Sequence, residues 1–169
     1  MKLNTGDFFT IPIDEKRTGI GQIVNIPNKN SFIIIVFDSL WEINFMPVKA
    51  NFLNFDILLL GYTVDSKLYN KHWTIIGNTQ ENIDSIYLPY FKLGTPPDDI
   101  YIVNYKGDRI RQASMDEFDL LKYQSIVAPI RYENALKAHF NLADWDNKYD
   151  ELLYSYTLDS IKIGTKKQI

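Results

Sequence analysis

The side chains of this 169-residue chain that could carry chemistry are histidines and carboxylates, because cysteine is absent. Its absence removes thiolate zinc sites, iron–sulfur ligation, disulfides and a cysteine nucleophile together. His72 and His139 are the two histidines, and neither has a partner at a metal-ligand spacing. His72 precedes Trp73 in an expected strand, and His139 falls on the apolar stripe of an expected helix. Both therefore read as structural or half-exposed imidazoles rather than as a ligand or general base. Adjacent carboxylates occur at Asp98-Asp99, Asp116-Glu117 and Asp150-Glu151. A glycosidase or a metal-assisted hydrolase needs two acids whose pKa values are driven apart. Neighbours on a strand point to opposite faces, and on a helix they lie about 100° apart, so none of these pairs is a dyad by itself. Phosphate-binding glycine loops, G-x-S-x-G, H-E-x-x-H and an EF-hand loop are all missing. The expectation is no catalytic residue, no metal and no cofactor.

One segment is chemically more pointed. Residues 144–159 hold Asp144, Asp146, Asp150, Glu151 and Asp159 against Lys148 alone, interleaved with Trp145, Tyr149, Tyr154 and Tyr156. Acids steer a basic partner toward the surface and buried aromatics supply affinity, so Asp144, Trp145, Asp146, Tyr149, Asp150 and Glu151 are candidate contact residues. The plainer alternative is an amphipathic helix with its aromatics in the core. Residues 79–98 hold Pro89, Pro96, Pro97 and Gly94, which argues for an ordered surface loop. Tyr87, Tyr90 and Phe91 make that loop a second candidate contact surface.

Composition narrows the class of partner. With 18 basic and 21 acidic residues the net charge is −3, the wrong sign for a protein that depends on phosphate backbone. Residues 1–85 carry 7 basic and 9 acidic side chains and residues 86–169 carry 11 and 12, so no basic domain hides behind the average. No signal-like or membrane-length apolar run is present. A cytoplasmic protein without nucleic-acid or membrane partners is expected, as one domain over residues 1–169.

The elements that must position these groups follow from periodicity. Asp7 to Ile13 alternates as a half-buried strand with Phe9, Ile11 and Ile13 on one face, ending near Pro12. Gly19 to Pro27 is a second strand, in which Gly21 marks either a close approach as the sheet curls toward a barrel or a hairpin bulge. Phe32 to Phe37 is continuously apolar and suits a strand covered on both faces. From Asp38 to Asn54, with Leu40, Trp41, Ile43, Phe45 and Met46 crowded before Pro47, the pattern is mixed and leaves helix and strand both open. Further strands are expected at Asp56 to Asp65 and His72 to Gly77, and a hairpin at Ile100 to Gln112 turning on Lys106-Gly107. Ser114 with Glu117 forms a capping box that opens a helix bearing Met115, Phe118 and Leu121. Pro129 opens a second helix to about Asn141, with Tyr132, Ala135, Leu136 and His139 on one stripe. A third is expected to carry Trp145, Tyr149, Leu152, Leu153 and Tyr156, capped by Asp144 or Asp146. Strand-rich 5–113, helical 114–156 and a short tail make an α+β fold: a curved, partly barrel-like antiparallel sheet with C-terminal helices packed against it.

The opening Gly6-Asp7-Phe8-Phe9-Thr10-Ile11-Pro12-Ile13, followed by Gly19-Ile20-Gly21-Gln22-Ile23-Val24, resembles the start of immunity protein family 26 of bacterial polymorphic toxin systems. Ile13 stands where that family has leucine. Trp73-Thr74-Ile75-Ile76-Gly77-Asn78 and Tyr132-Glu133-Asn134-Ala135-Leu136 are similar to it as well, and residues 38–56 carry no part of the resemblance. The resemblance implies a cytoplasmic, non-enzymatic protein that binds and blocks a cognate toxin, often a nuclease or another enzyme. It transfers no binding residues. A β-rich domain for a small ligand or peptide, with aromatics lining a groove, is the alternative in another class, and a hydrolase built on His72 or an acidic pair is a weaker third.

Overall fold

The alternating opening forms β1 (Asp7–Pro12) in a computed structural model that describes residues 2–45 and 53–166. The chain folds as two compact units, Met1–Ile86 with Ile126–Leu153, and Tyr87–Ser125 with Tyr154–Ile169. In the first, β1 joins β2 (Arg17–Asn28), β3 (Ser31–Phe37), β4 (Trp41–Glu42), β5 (Ile57–Thr63) and β6 (Ile75–Asn78) in one antiparallel sheet. The order is β5-β3-β2-β1-β6, with β4 on the far part of β2. The end strands do not meet, so the sheet is open rather than barrel-like.

β3 explains the middle of this sheet. Its seven residues are all buried and it pairs on both edges, as a continuous apolar run requires. Burial of a single isoleucine such as Ile34 contributes roughly 1.5–3 kcal/mol, and three in a row are fully buried. β1 departs from the half-buried expectation, since Phe8 is as buried as Phe9 and Ile11. Gly21 is a close approach and not a bulge: the β1–β2 register runs unbroken through Phe9↔Gly21, and a Cβ at 21 would stand 2.5 Å from the Phe9 ring. The Phe9 ring in turn stacks on Trp73 at 5.0 Å.

The region of mixed pattern holds β4 and a short 3₁₀ turn, Ile43–Phe45, while Met46 and Pro47 lie outside the described residues. The short α1 (Ser66–Tyr69) follows β5 and leads into β6. The strand expected from His72 begins three residues later, leaving Trp73 just ahead of β6 and buried. Across the sheet lies the helix opened by Pro129, Pro129–His139, two residues shorter than expected. It brings Tyr132, Ala135 and Leu136 into the core cluster of Phe9, Ile11, Ile23, Ile34 and Leu59.

The second unit has its own three-stranded antiparallel sheet, β7 (Phe91–Thr95), β8 (Asp99–Val103) and β9 (Arg109–Gln112). The surface loop expected over 79–98 is thus a loop only to residue 90. Its prolines sit outside the strand, Pro89 before β7 and Pro96-Pro97 in the turn after it, so the strand pattern survives between them. The β8–β9 hairpin turns as expected at Gly107, with φ +89°. Next comes α2 (Met115–Leu120), opened by the Ser114–Glu117 capping box in both directions. Pro129–His139 is α3, and α4 (Tyr154–Gly164) is the last helix among the described residues. Ile100, Ile102, Ala113, Phe118, Leu121 and Ile163 form this unit's core. The antiparallel α+β class therefore holds, with α3 on the larger sheet and α2 and α4 in the smaller unit.

Candidate functional site

The acidic and aromatic segment is displayed by a short 3₁₀ turn, Asn147–Leu152, and not by the long helix that its spacing suggests. Apolar residues at 145, 149, 152, 153 and 156 match a helical stripe, but Leu153 adopts an extended backbone, and α4 starts afresh at Tyr154. Sequence period cannot register one extended residue inside a stripe. Leu152 is buried in the core and Leu153 bridges to Leu59 of β5, so the turn is pinned from below.

Its outer side is ordered by its own polar groups. Asp146 caps the turn by accepting from the Lys148 N–H at 3.0 Å, and its other oxygen pairs with Lys148 Nζ at 2.8 Å. The Lys148 ammonium, and then the Lys148 amide, hold the Asp146 carboxyl below its ordinary value. Trp145 donates from Nε1 to Asp150 Oδ1 at 2.8 Å and meets the Tyr149 ring edge-to-face at 5.3 Å. Trp145 is 37% exposed, Asp144, Asp150 and Glu151 are exposed, and Tyr149 is half-buried against the core. The geometry joins Trp145, Tyr149 and Asp150 directly, while Asp146 is committed largely to its cap and Asp144 and Glu151 are exposed to either side of them in sequence.

The residues of the second candidate surface separate by burial. Tyr87 is 60% exposed, with its backbone N–H held by Tyr154 Oη at 3.0 Å. Burial raises the Tyr154 hydroxyl pKa above its ordinary value. Tyr90 is half-buried, donates from its backbone to Ser160 Oγ at 3.1 Å, and packs against the core of its unit. Phe91 is 1% exposed at the start of β7, so it is an interior ring and is withdrawn from the contact surface.

His139, Glu117 and Glu133 are occupied in structural roles. His139 Nε2 lies 2.8 Å from Asp38 Oδ1, tying the end of α3 to the residue after β3. His72 is exposed beside β6. Glu117 takes both Arg111 terminal nitrogens at 2.8 Å, and Arg111 reaches the Ile163 carbonyl, which binds β9, α2 and α4 together. Among the described residues no three His, Asp or Glu side chains converge as a metal site. A buried carboxylate that sequence reasoning passed over is Glu133, 6% exposed. It accepts from Trp73 Nε1 at 2.8 Å and lies 3.1 Å from Lys67 Nζ. Its only sequence signal is an acid on the stripe side of an otherwise apolar helix face.

These features define an antiparallel α+β protein in which His139, Glu117 and Glu133 brace the fold while acids and aromatics of the 3₁₀ turn face outward. The family model described as Immunity protein 26 matches residues 4–98, over half of the chain, and the chain belongs to that family. It is an immunity protein of toxin systems, a family that is generally non-enzymatic and whose partner in general is a toxin. The match takes in Gly6–Ile13, Gly19–Val24 and Trp73–Asn78, and it ends before Tyr132–Leu136. No curated protein and no solved structure matches the chain. Among the described residues no helix is long and apolar enough to cross a membrane.

Proposed function

We propose that this protein binds one cognate toxin directly and blocks it, and that it does so from the cytoplasm of the producing cell. Membership of the Immunity protein 26 family carries the reading. The surface built from Asp144, Trp145, Asp146, Tyr149, Asp150 and Glu151 is the proposed contact, with Tyr87 and Tyr90 as a second. Four acids against one lysine over residues 144–151 suit a basic partner surface. A nuclease is the enzyme class that needs such a surface, because its active site must hold phosphate backbone. The anchored turn also favours binding: an exposed tryptophan already fixed by Asp150 and Tyr149 loses little side-chain freedom on docking.

The test is protection in cells. The toxin domain encoded beside this gene is produced in a sensitive host with and without this protein. Growth restored by this protein supports the reading. Continued killing by an active toxin, with this protein folded and abundant, rejects it.

A further inference from the structure

Among the described residues β6 is an end strand with no strand paired to its outer edge. At the opposite end of its sheet β5 is covered by the bridges of Tyr62 to Ile126 and of Leu59 to Leu153. Among the described residues β6 has a strand neighbour only in β1. Thr10 N–H donates to the Thr74 carbonyl and Thr79 N–H to the Gly6 carbonyl, both on the inner side. The β1–β6 ladder shifts register between Phe8 and Phe9, and on the two sides of that shift Ile75, opposite Phe9, and Asn78, opposite Asp7, turn their backbone groups outward. Ile75-Ile76-Gly77-Asn78 contains neither the lysine nor the proline with which exposed edges are commonly blunted.

Beside this edge is an open cleft of about 290 Å³. It runs inward over one face of the sheet, lined by Thr74 and Ile76 on the β6 side, Thr10 and Pro12 of β1 and Thr18 of β2, together with Ile43 and His72. Its walls are mostly hydrocarbon, and it has room for a leucine-sized side chain. A backbone edge next to a side-chain cleft is the pairing of features that strand addition uses, with hydrogen bonds for affinity and the cleft for selectivity. The charge around it has a sign. The unit that holds β6 carries 10 Lys and Arg against 14 Asp and Glu. Next to the cleft, Glu15 and Glu42 line a hollow with Lys16 and the Asp14–Arg17 pair, leaving a net negative rim.

We propose that the edge of β6 receives an extended segment of the toxin as an added strand. An aliphatic side chain of that segment enters the cleft and a basic residue beyond it faces Glu15 and Glu42. The proposal rests on the toxin-blocking reading and adds to it the form in which the partner is held.

Hydrogen exchange of the full-length protein, alone and with a catalytically inactivated toxin domain encoded beside this gene, tests it. The expected result is slowing of the Ile75 and Asn78 amides by at least about tenfold in the complex, together with an Ile76→Glu variant whose Kd is at least about tenfold weaker and whose unfolding midpoint is unchanged. A complex that leaves exchange at residues 75–78 unaltered overturns strand addition while leaving toxin blocking intact. Protection of these amides in the free protein through its own dimerisation overturns it too, because the occupant is then a second copy. The absence of any complex rejects the toxin-blocking reading and this proposal with it. The exchange result on the natural sequence decides the matter even where Ile76→Glu fails to fold.

Discussion

Gly61 and Tyr132 form a pair whose separate and joint replacement tests the packing of α3 on the sheet. Tyr132 is fully buried, and its hydroxyl donates to the Tyr62 carbonyl at 3.0 Å. That hydroxyl occupies the space left by the missing side chain of Gly61, where a Cβ would overlap Oη and make only ordinary contact, 3.5 Å, with Leu152. Tyr132→Phe removes one hydrogen bond, but the Tyr62 carbonyl still accepts from the Val127 amide at 2.9 Å, so the cost is about 1 kcal/mol. Gly61→Ala forces an overlap in a close-packed core, costing about 1–3 kcal/mol, offset by about 0.4–1 kcal/mol from a less flexible unfolded chain. With the hydroxyl gone the overlap disappears. The double variant should therefore be at least as stable as Gly61→Ala alone, with a coupling of about 1 kcal/mol or more between the two sites. Urea unfolding followed by tryptophan fluorescence reads this directly, because Trp41, Trp73 and Trp145 all belong to that unit. Effects that add within about 0.5 kcal/mol would refute the packing account.

Ile34→Asp places a charge at a fully buried position of the doubly paired β3 and should abolish the cooperative unfolding transition in the same assay, whereas a native-like transition would contradict the placement of β3. The Arg111 guanidinium, ahead of the Ser114 amide, holds Glu117 at about 2 against its ordinary 4.5. A depressed carboxylate contributes stability that is present above pH 4.5 and lost as pH falls toward 2. Glu117→Gln should be less stable at neutral pH and show a flatter loss of stability across that window, measured by calorimetry at several pH values. Charge reversal at the exposed Asp144 should slow association with the toxin domain and leave the unfolding midpoint nearly unchanged, seen by surface plasmon resonance beside a thermal melt. Unchanged association rates would move the contact away from the 3₁₀ turn.

Local patterns were legible wherever a single physical rule dominated. The strand through Phe9 and Ile11, the unbroken run to Phe37, the Ser114–Glu117 box and the turn at Gly107 each depend on near neighbours and form where their residues imply, although burial of Phe8 removes the solvent face expected of the first. Two kinds of feature were hidden. The extended Leu153 interrupts a helical stripe: its amide closes the 3₁₀ turn on the Asp150 carbonyl and its backbone then bridges to Leu59 of β5. Phe91 reads as a loop aromatic because three prolines surround it, although they sit at the ends of β7 and leave the strand free to form. The candidate site shows the same division. Its acids and aromatics are visible as composition and Asp146 as a cap, but the Trp145–Asp150 bond depends on a 3₁₀ turn that the periodicity reads as a helix, and the end position of β6 depends on how distant strands pair.

Mixing the purified protein with the toxin domain encoded beside its gene, separating the mixture by size exclusion with light scattering, and assaying each fraction for toxin activity addresses the central claim most directly. Direct blocking predicts a single stoichiometric complex in which toxin activity is lost. Two separate peaks, a folded protein and a fully active toxin, would contradict it.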